Sequence, residues 1–153
     1  MSDRTQLPSH KETNPPHAQL FIAINPPLNF SPKIDFKVPS RWMIAVFNPV
    51  TKTWLTAQGR QNENRYALIK GEAPPEHSKL FEVANIPVSE LADVEARIRS
   101  VFPEEHPLGE AQFNRQYVCD VLNNLVDGGI IGEDRARDTF LTVETFSLQL
   151  KAT

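Results

Sequence analysis

A chain of 153 residues, 40% hydrophobic and 23% charged, is long enough for one domain with a single substantial core. Its formal net charge of -3 and pI near 5.8 leave no basic footprint, so neither nucleic acid nor an anionic membrane is an expected partner. Cys119 is the only cysteine, which excludes an internal disulfide and a thiol zinc cluster. No apolar run is long enough to cross a membrane and the N-terminus lacks the apolar core of a secretory signal, so a cytoplasmic location is expected.

Residues 1–17 are polar and proline-bearing and are expected to form a disordered tail, with 18–153 as a single α+β domain. His10 and His17 fall in that tail without neighbouring ligands and are expected to be solvated. Leu20 to Ile24 is a short apolar run with strand character. Pro26, Pro27 and Pro32 then impose an extended loop, and Ile34, Phe36 and Val38 alternate with Asp35 and Lys37 as a half-buried strand. Arg41 to Phe47 is the strongest strand. Asn48-Pro49-Val50-Thr51 turns it, and Thr53 to Gln58 returns as a hairpin partner. Tyr66 to Ile69 and Leu80 to Ile86 are further strands, separated by a loop holding Pro74, Pro75 and His77.

Ser89 is placed to cap a helix whose apolar residues are Leu91, Val94, Ile98, Val101 and Phe102, with Pro103 as its stop. The central element is the next helix. Phe113, Tyr117, Val118, Val121, Leu122, Leu125 and Val126 recur at helical spacing, and Gly128-Gly129 supplies a left-handed stop. Residues 133–153 are ambiguous. Phe146, Leu148 and Leu150 alternate like a strand, whereas Ala136, Phe140, Val143 and Leu150 allow a helix; the alternation favours a strand. Strands and helices fall in separate blocks. The expected architecture is therefore α+β, an antiparallel sheet packed against a central helix, plus a second helix.

Few standard catalytic patterns are present. The six glycines are scattered and form no phosphate loop, no serine sits in a nucleophile elbow, and no His/Cys spacing suits a metal, so no metal or other cofactor is expected. Glu104-Glu105-His106 sits in a proline-bounded loop and is more simply a solvated turn than an acid–base site. Asp134 to Asp138 is most simply a solvated charged face.

One arrangement does carry chemistry. A thiol acyltransferase or hydrolase needs a Cys at the start of a buried helix, where the dipole stabilises the thiolate. It also needs a His on an adjacent strand and a polar group to orient that His. Arg41-Trp42-Met43-Ile44-Ala45-Val46-Phe47, then Thr53-Trp54-Leu55-Thr56-Ala57-Gln58-Gly59, then Asn114-Arg115-Gln116-Tyr117-Val118 resemble the His-Trp strand, the second His strand and the Asn-Cys-Gln helix start of one family. That family is the papain-like proteins of the lecithin retinol acyltransferase and cell-wall endopeptidase type. The resemblance spans roughly residues 40–131 and implies a papain-like fold.

The catalytic positions of that family are replaced here. Arg41 and Thr56 stand where it has its two histidines, and Arg115 where it has its cysteine. Arginine stays protonated and is neither nucleophile nor base. The resemblance thus implies a domain without thiol chemistry, acting as a small-molecule or protein binding or regulatory module. Arg41, Trp42, Thr56, Arg115 and Tyr117 would line its cleft, for a small apolar or carboxylate-bearing ligand or a protein partner. The alternative is a cofactor-free isomerase, cyclase or hydrolase acting on an apolar small molecule in a biosynthetic pathway, with the arginines polarising a carbonyl. A third reading is an interaction protein tethered by its proline-rich N-terminus. Cys119, one helical turn beyond Arg115, is the candidate for a displaced nucleophile; a lone Cys at the edge of an apolar face is ordinarily a small core hydrophobe. Trp42, Trp54 and Tyr117 are equally compatible with core filling.

Overall fold

The computed structural model describes residues 15–25, 41–60, 65–101 and 110–152. The expectations for His10, the proline loop at 26–32, the strand at 34–38, Phe102, and the loop with His106 lie outside the described residues. So do the side chains of Tyr66, Phe113, Leu148 and Leu150.

Five strands, β1 His17–Asn25, β2 Arg41–Asn48, β3 Thr53–Arg60, β4 Arg65–Lys70 and β5 Lys79–Pro87, form one sheet in the order β4-β3-β2-β1-β5. Every pairing is antiparallel. Among the described residues three helices follow: α1 Leu91–Arg99, α2 Glu110–Asp127 and α3 Glu133–Ala152. The class is α+β.

Alternation along the strands sorts the side chains. Leu20, Ile22, Ile24, Trp42, Ile44, Val46 and Ala57 meet Tyr117, Val118, Val121 and Leu125 of α2 in one core. Ala23, Met43 and Ala45 turn to the other face, where Phe21 and Trp54 cover them. α2 lies over β2 and β3, while α3 lies over β1 and β5. Both helices therefore share one face of the sheet. Opposite β1, the register of β5 shifts between Leu20 and Phe21, and the extra residue Val83 is fully buried.

The hairpin between β2 and β3 closes as its residues dictate. Asn48 Oδ1 accepts the Val50 N–H at 2.9 Å, an Asx turn, and Lys52 takes the left-handed conformation with φ 58. At the other end of the core, α2 stops on a Schellman motif. Gly129, at φ 75, donates to Val126, and the Ile130 N–H reaches the Leu125 carbonyl at 3.0 Å. Gly128 leaves room for the Arg97 side chain of α1, whose Nη1 lies 3.3 Å from Asn124 Oδ1 and places a cation at the negative end of α2.

Three expectations are corrected. Residues 133–152 form the helix α3, not a strand. Its buried positions, Ala136 and Val143, with half-buried Phe140 and Phe146, repeat at helical spacing. Phe140 stacks on Trp42 with centroids 5.1 Å apart, Phe146 meets Phe81 at 5.3 Å, and Thr139 donates to the Glu82 carbonyl at 3.3 Å. A strand would have spread these residues over two faces; a helix brings them all to the bare surface of β1 and β5. Ser89 is not a cap. It lies inside the 3-10 turn Val88–Glu90, and α1 starts after Glu90 with no side-chain capping bond. His17 belongs to β1 rather than to a tail, and the Pro16 carbonyl accepts the Val88 N–H at 3.0 Å.

Candidate functional site

Asn114 organises the region that the sequence motif singled out. It is 2% exposed, near the start of α2. The β2–β3 ladder runs from Asn48↔Thr53 to Ile44↔Ala57 and stops there. Continued, it would pair Met43 with Gln58 and then Trp42 with Gly59. Instead the Asn114 side chain enters: its Oδ1 accepts the Trp42 N–H, and its Nδ2 donates to the Gly59 carbonyl at 3.1 Å. One primary amide has both a donor and an acceptor, so it substitutes for a rung of the sheet. This stitch holds α2 against both strands. In the sequence Asn114 is one residue of the helix-start motif, and the signal for this role is an Asn near the start of an otherwise apolar helix face.

The residues expected to share a cleft are distributed differently. Trp42 is 3% and Tyr117 1% exposed, and both belong to the core between sheet and α2. Arg115 points toward α3, where its Nη1 lies 3.2 Å from Glu144 Oε2. Thr56 pairs with Ala45, and Arg41 opens β2 opposite Asn25. By strand alternation both belong to the face that carries Met43, away from α2. The sheet therefore separates Thr56 and Arg41 from Arg115.

Cys119 lies at a groove of about 200 Å³ between α2 and α3, with Leu122, Val126, Ala136 and Phe140. Burial pushes its thiol pKa above the ordinary value, and the negative charges of Asp120 and Glu144 add to this. The Asn123 side chain, 3.7 Å from Sγ, and Arg115 pull the other way and do not prevail. Since the thiolate is the reactive form, its population at neutral pH is below that of an ordinary cysteine. Iodoacetamide is expected to alkylate Cys119 in the folded chain more slowly than in the urea-unfolded chain at pH 7.5, with a rate still climbing where a free thiol has levelled off. A folded-state rate equal to or above the unfolded one would restore the displaced-nucleophile reading.

Thr56 does open onto a cavity. About 340 Å³ lies on the face away from the helices, lined by Met43, Thr56, Gln58, Ile69, Glu72 and Pro75 among others. Gln58 Oε1 is buried without a hydrogen-bond partner. Asn25 Oδ1, on the neighbouring part of the same face, is likewise buried and unmatched. Buried acceptors are nearly always satisfied by protein or by water, so these two amide oxygens are acceptors that the fold itself leaves over on this face. No protein-family model, curated protein or solved structure matches this chain. The site must therefore be judged on its own chemistry. Its walls are mixed: a thioether, aliphatic carbons and a proline ring beside a hydroxyl, a carboxamide and one carboxylate. Such a surface suits a small ligand that is apolar over most of its area and carries a hydrogen-bond donor. Among the described residues, no three of His, Cys, Asp and Glu are grouped to hold a metal ion, and no helix is long and apolar enough to cross a membrane.

Proposed function

We propose that this chain is a small-molecule binding module without thiol chemistry, its ligand seated in the cavity beside Thr56. The observation that carries this reading is the cavity of about 340 Å³ that Thr56 and Gln58 line, Gln58 also holding a buried side-chain acceptor without a partner in the fold. A papain-like layout is supported by the way Asn114 ties α2 to β2 and β3. Side-chain direction departs from that layout, because Arg41 and Thr56 alternate away from α2. The ligand site is accordingly placed on the other face of the sheet, and Arg115, engaged with Glu144, has no part in it. A cytoplasmic location belongs to the same reading and rests on the single unbridged cysteine.

Gln58→Leu tests the proposal by its sign. Removing an unmatched buried acceptor is expected to stabilise the empty protein, by up to about 1–3 kcal/mol. The same change is expected to weaken binding of small amide or alcohol fragments about tenfold, the loss of one buried hydrogen bond. Thr56→Phe should block the cavity and abolish binding. Fragment titrations followed by amide shifts of Thr56, Gln58 and Ala73 provide the readout. Fragments that shift other residues only, or a Gln58→Leu variant that is less stable and binds equally well, would sink the idea.

A cofactor-free enzyme is the second reading, favoured by one observation: the Glu72 carboxylate lines the same cavity and, among the described residues that line it, is the one side chain able to act as a base. Binding that persists in Glu72→Gln with no turnover lost would leave the module reading in place.

A further inference from the structure

The polar groups of the Thr56 cavity narrow the class of its ligand. Thr56 and Gln58 stand two residues apart on β3 and share the face turned away from the helices, with Ile69 of β4 opposite Thr56. Met43 and Pro75 supply further carbon. We infer that the ligand is a primary amine held as its ammonium ion, with an aliphatic tail against Met43, Ile69 and Pro75. The inference rests on the reading of this cavity as the ligand site and names the class of molecule it takes.

Acceptors and charge carry it. Gln58 Oε1 is a buried acceptor that the fold leaves without a partner. Thr56, 7% exposed, adds a hydroxyl oxygen. Glu72 adds a carboxylate, and it is the one charged side chain among the described residues that line the cavity. Among the described residues no ion pair engages it. The described walls are thus rich in acceptors and bear negative charge without a cation beside it. A primary ammonium has three N–H donors and a positive charge, so it matches these groups in number and in sign. An alcohol has one donor and no charge, and a carboxylate ligand would meet Glu72 as a like charge. The backbone fixes where Glu72 stands. Gly71, at φ 90, turns the chain out of β4, and its N–H donates to the Trp54 carbonyl at 2.7 Å. Further on, the Ser78 N–H donates to the Pro75 carbonyl at 2.9 Å. The wall from Glu72 to Pro75 therefore runs from a bond to the sheet into a closed turn. Ile69, an exposed apolar side chain at the cavity, is a surface that an alkyl tail would cover.

The experiment is a titration of the full chain at pH 7, where an alkylamine is protonated, with hexylamine, 1-hexanol, sodium hexanoate and methylamine. It is read at the amides of Thr56, Gln58 and Ala73. Hexylamine is expected to shift these residues and to bind about tenfold more tightly than 1-hexanol, the worth of one charge-assisted contact. Hexanoate should bind more weakly than 1-hexanol, and methylamine, lacking the tail, more weakly than hexylamine. Glu72→Gln should bring hexylamine to the level of 1-hexanol and leave 1-hexanol where it was. If 1-hexanol shifts these residues and hexylamine binds no tighter, or keeps its advantage in Glu72→Gln, the amine inference falls and the cavity stands as a ligand site. Hexanoate binding above hexylamine overturns it in the same way. Methylamine binding equal to hexylamine also overturns it, showing a simple surface ion pair with Glu72. If none of the four shifts Thr56, Gln58 or Ala73, the inference and the reading beneath it fall together.

Discussion

Asn114→Ala is expected to destabilise the fold by about 2–6 kcal/mol, because it strands two buried backbone groups at about 1–3 kcal/mol each. Trp42 loses its acceptor and Gly59 its donor, at a point where the β2–β3 ladder has already ended and the two strands cannot serve each other. For a domain of this length the loss corresponds to a melting temperature roughly 5–25 °C lower. Asn114→Asp separates the two bonds. A carboxylate still accepts the Trp42 N–H but has no donor for the Gly59 carbonyl. Protonation restores a donor and removes a buried charge, so the carboxyl pKa in the folded variant should lie above its unfolded value. Relative to the parent chain, that variant should therefore recover stability as pH falls and lose it as pH rises through the folded pKa. Thermal melts of both variants across pH 4–8 (roughly the window in which such a carboxyl titrates) provide the check. An unchanged melting temperature for Asn114→Ala would show that the stitch contributes nothing.

Tyr117→Ala and Trp42→Ala are each expected to cost about 3–5 kcal/mol in urea denaturation, the range for deleting a buried ring. Both side chains lie in the core between the sheet and α2, and Trp42 also carries the contact with Phe140 of α3. The prediction discriminates between two roles that one residue type permits. A ring lining a ligand cleft would lose affinity on truncation while stability stayed near that of the parent. A ring filling core loses stability first, and losing Trp42 should also loosen α3, seen as faster hydrogen exchange at Val143 and its neighbours. Retained stability in both variants would return them to the cleft.

The papain-like resemblance was carried by three short motifs. It drew attention to β2, β3 and the start of α2, which do meet, but through Asn114 rather than through Arg41 and Arg115. The reason is that spacing along a strand identifies a position, whereas direction depends on register. A shift of one residue reverses every side chain in a strand. With Ile44 opposite Ala57, Thr56 must turn away from α2 together with Ala45. Nothing local to Thr53–Gly59 states which of its two faces meets the helix.

What the sequence by itself determined is local. The apolar alternation of β2, the Asn-Pro turn and return strand, the apolar stripe of α2 and its two-glycine stop are each encoded within one turn or one strand, and the α+β class follows from their order. Residues 133–152 could satisfy two periods at once. Only the uncovered surface of β1 and β5 decided between them, since a helix alone presents Ala136, Phe140, Val143 and Phe146 on one side. The cavities and the ladder rung made by Asn114 were likewise decided by tertiary structure. Each joins residues that are distant in sequence, such as Met43 with Glu72 and Trp42 with Asn114, and chain order carries no record of which distant groups will be left to satisfy one another.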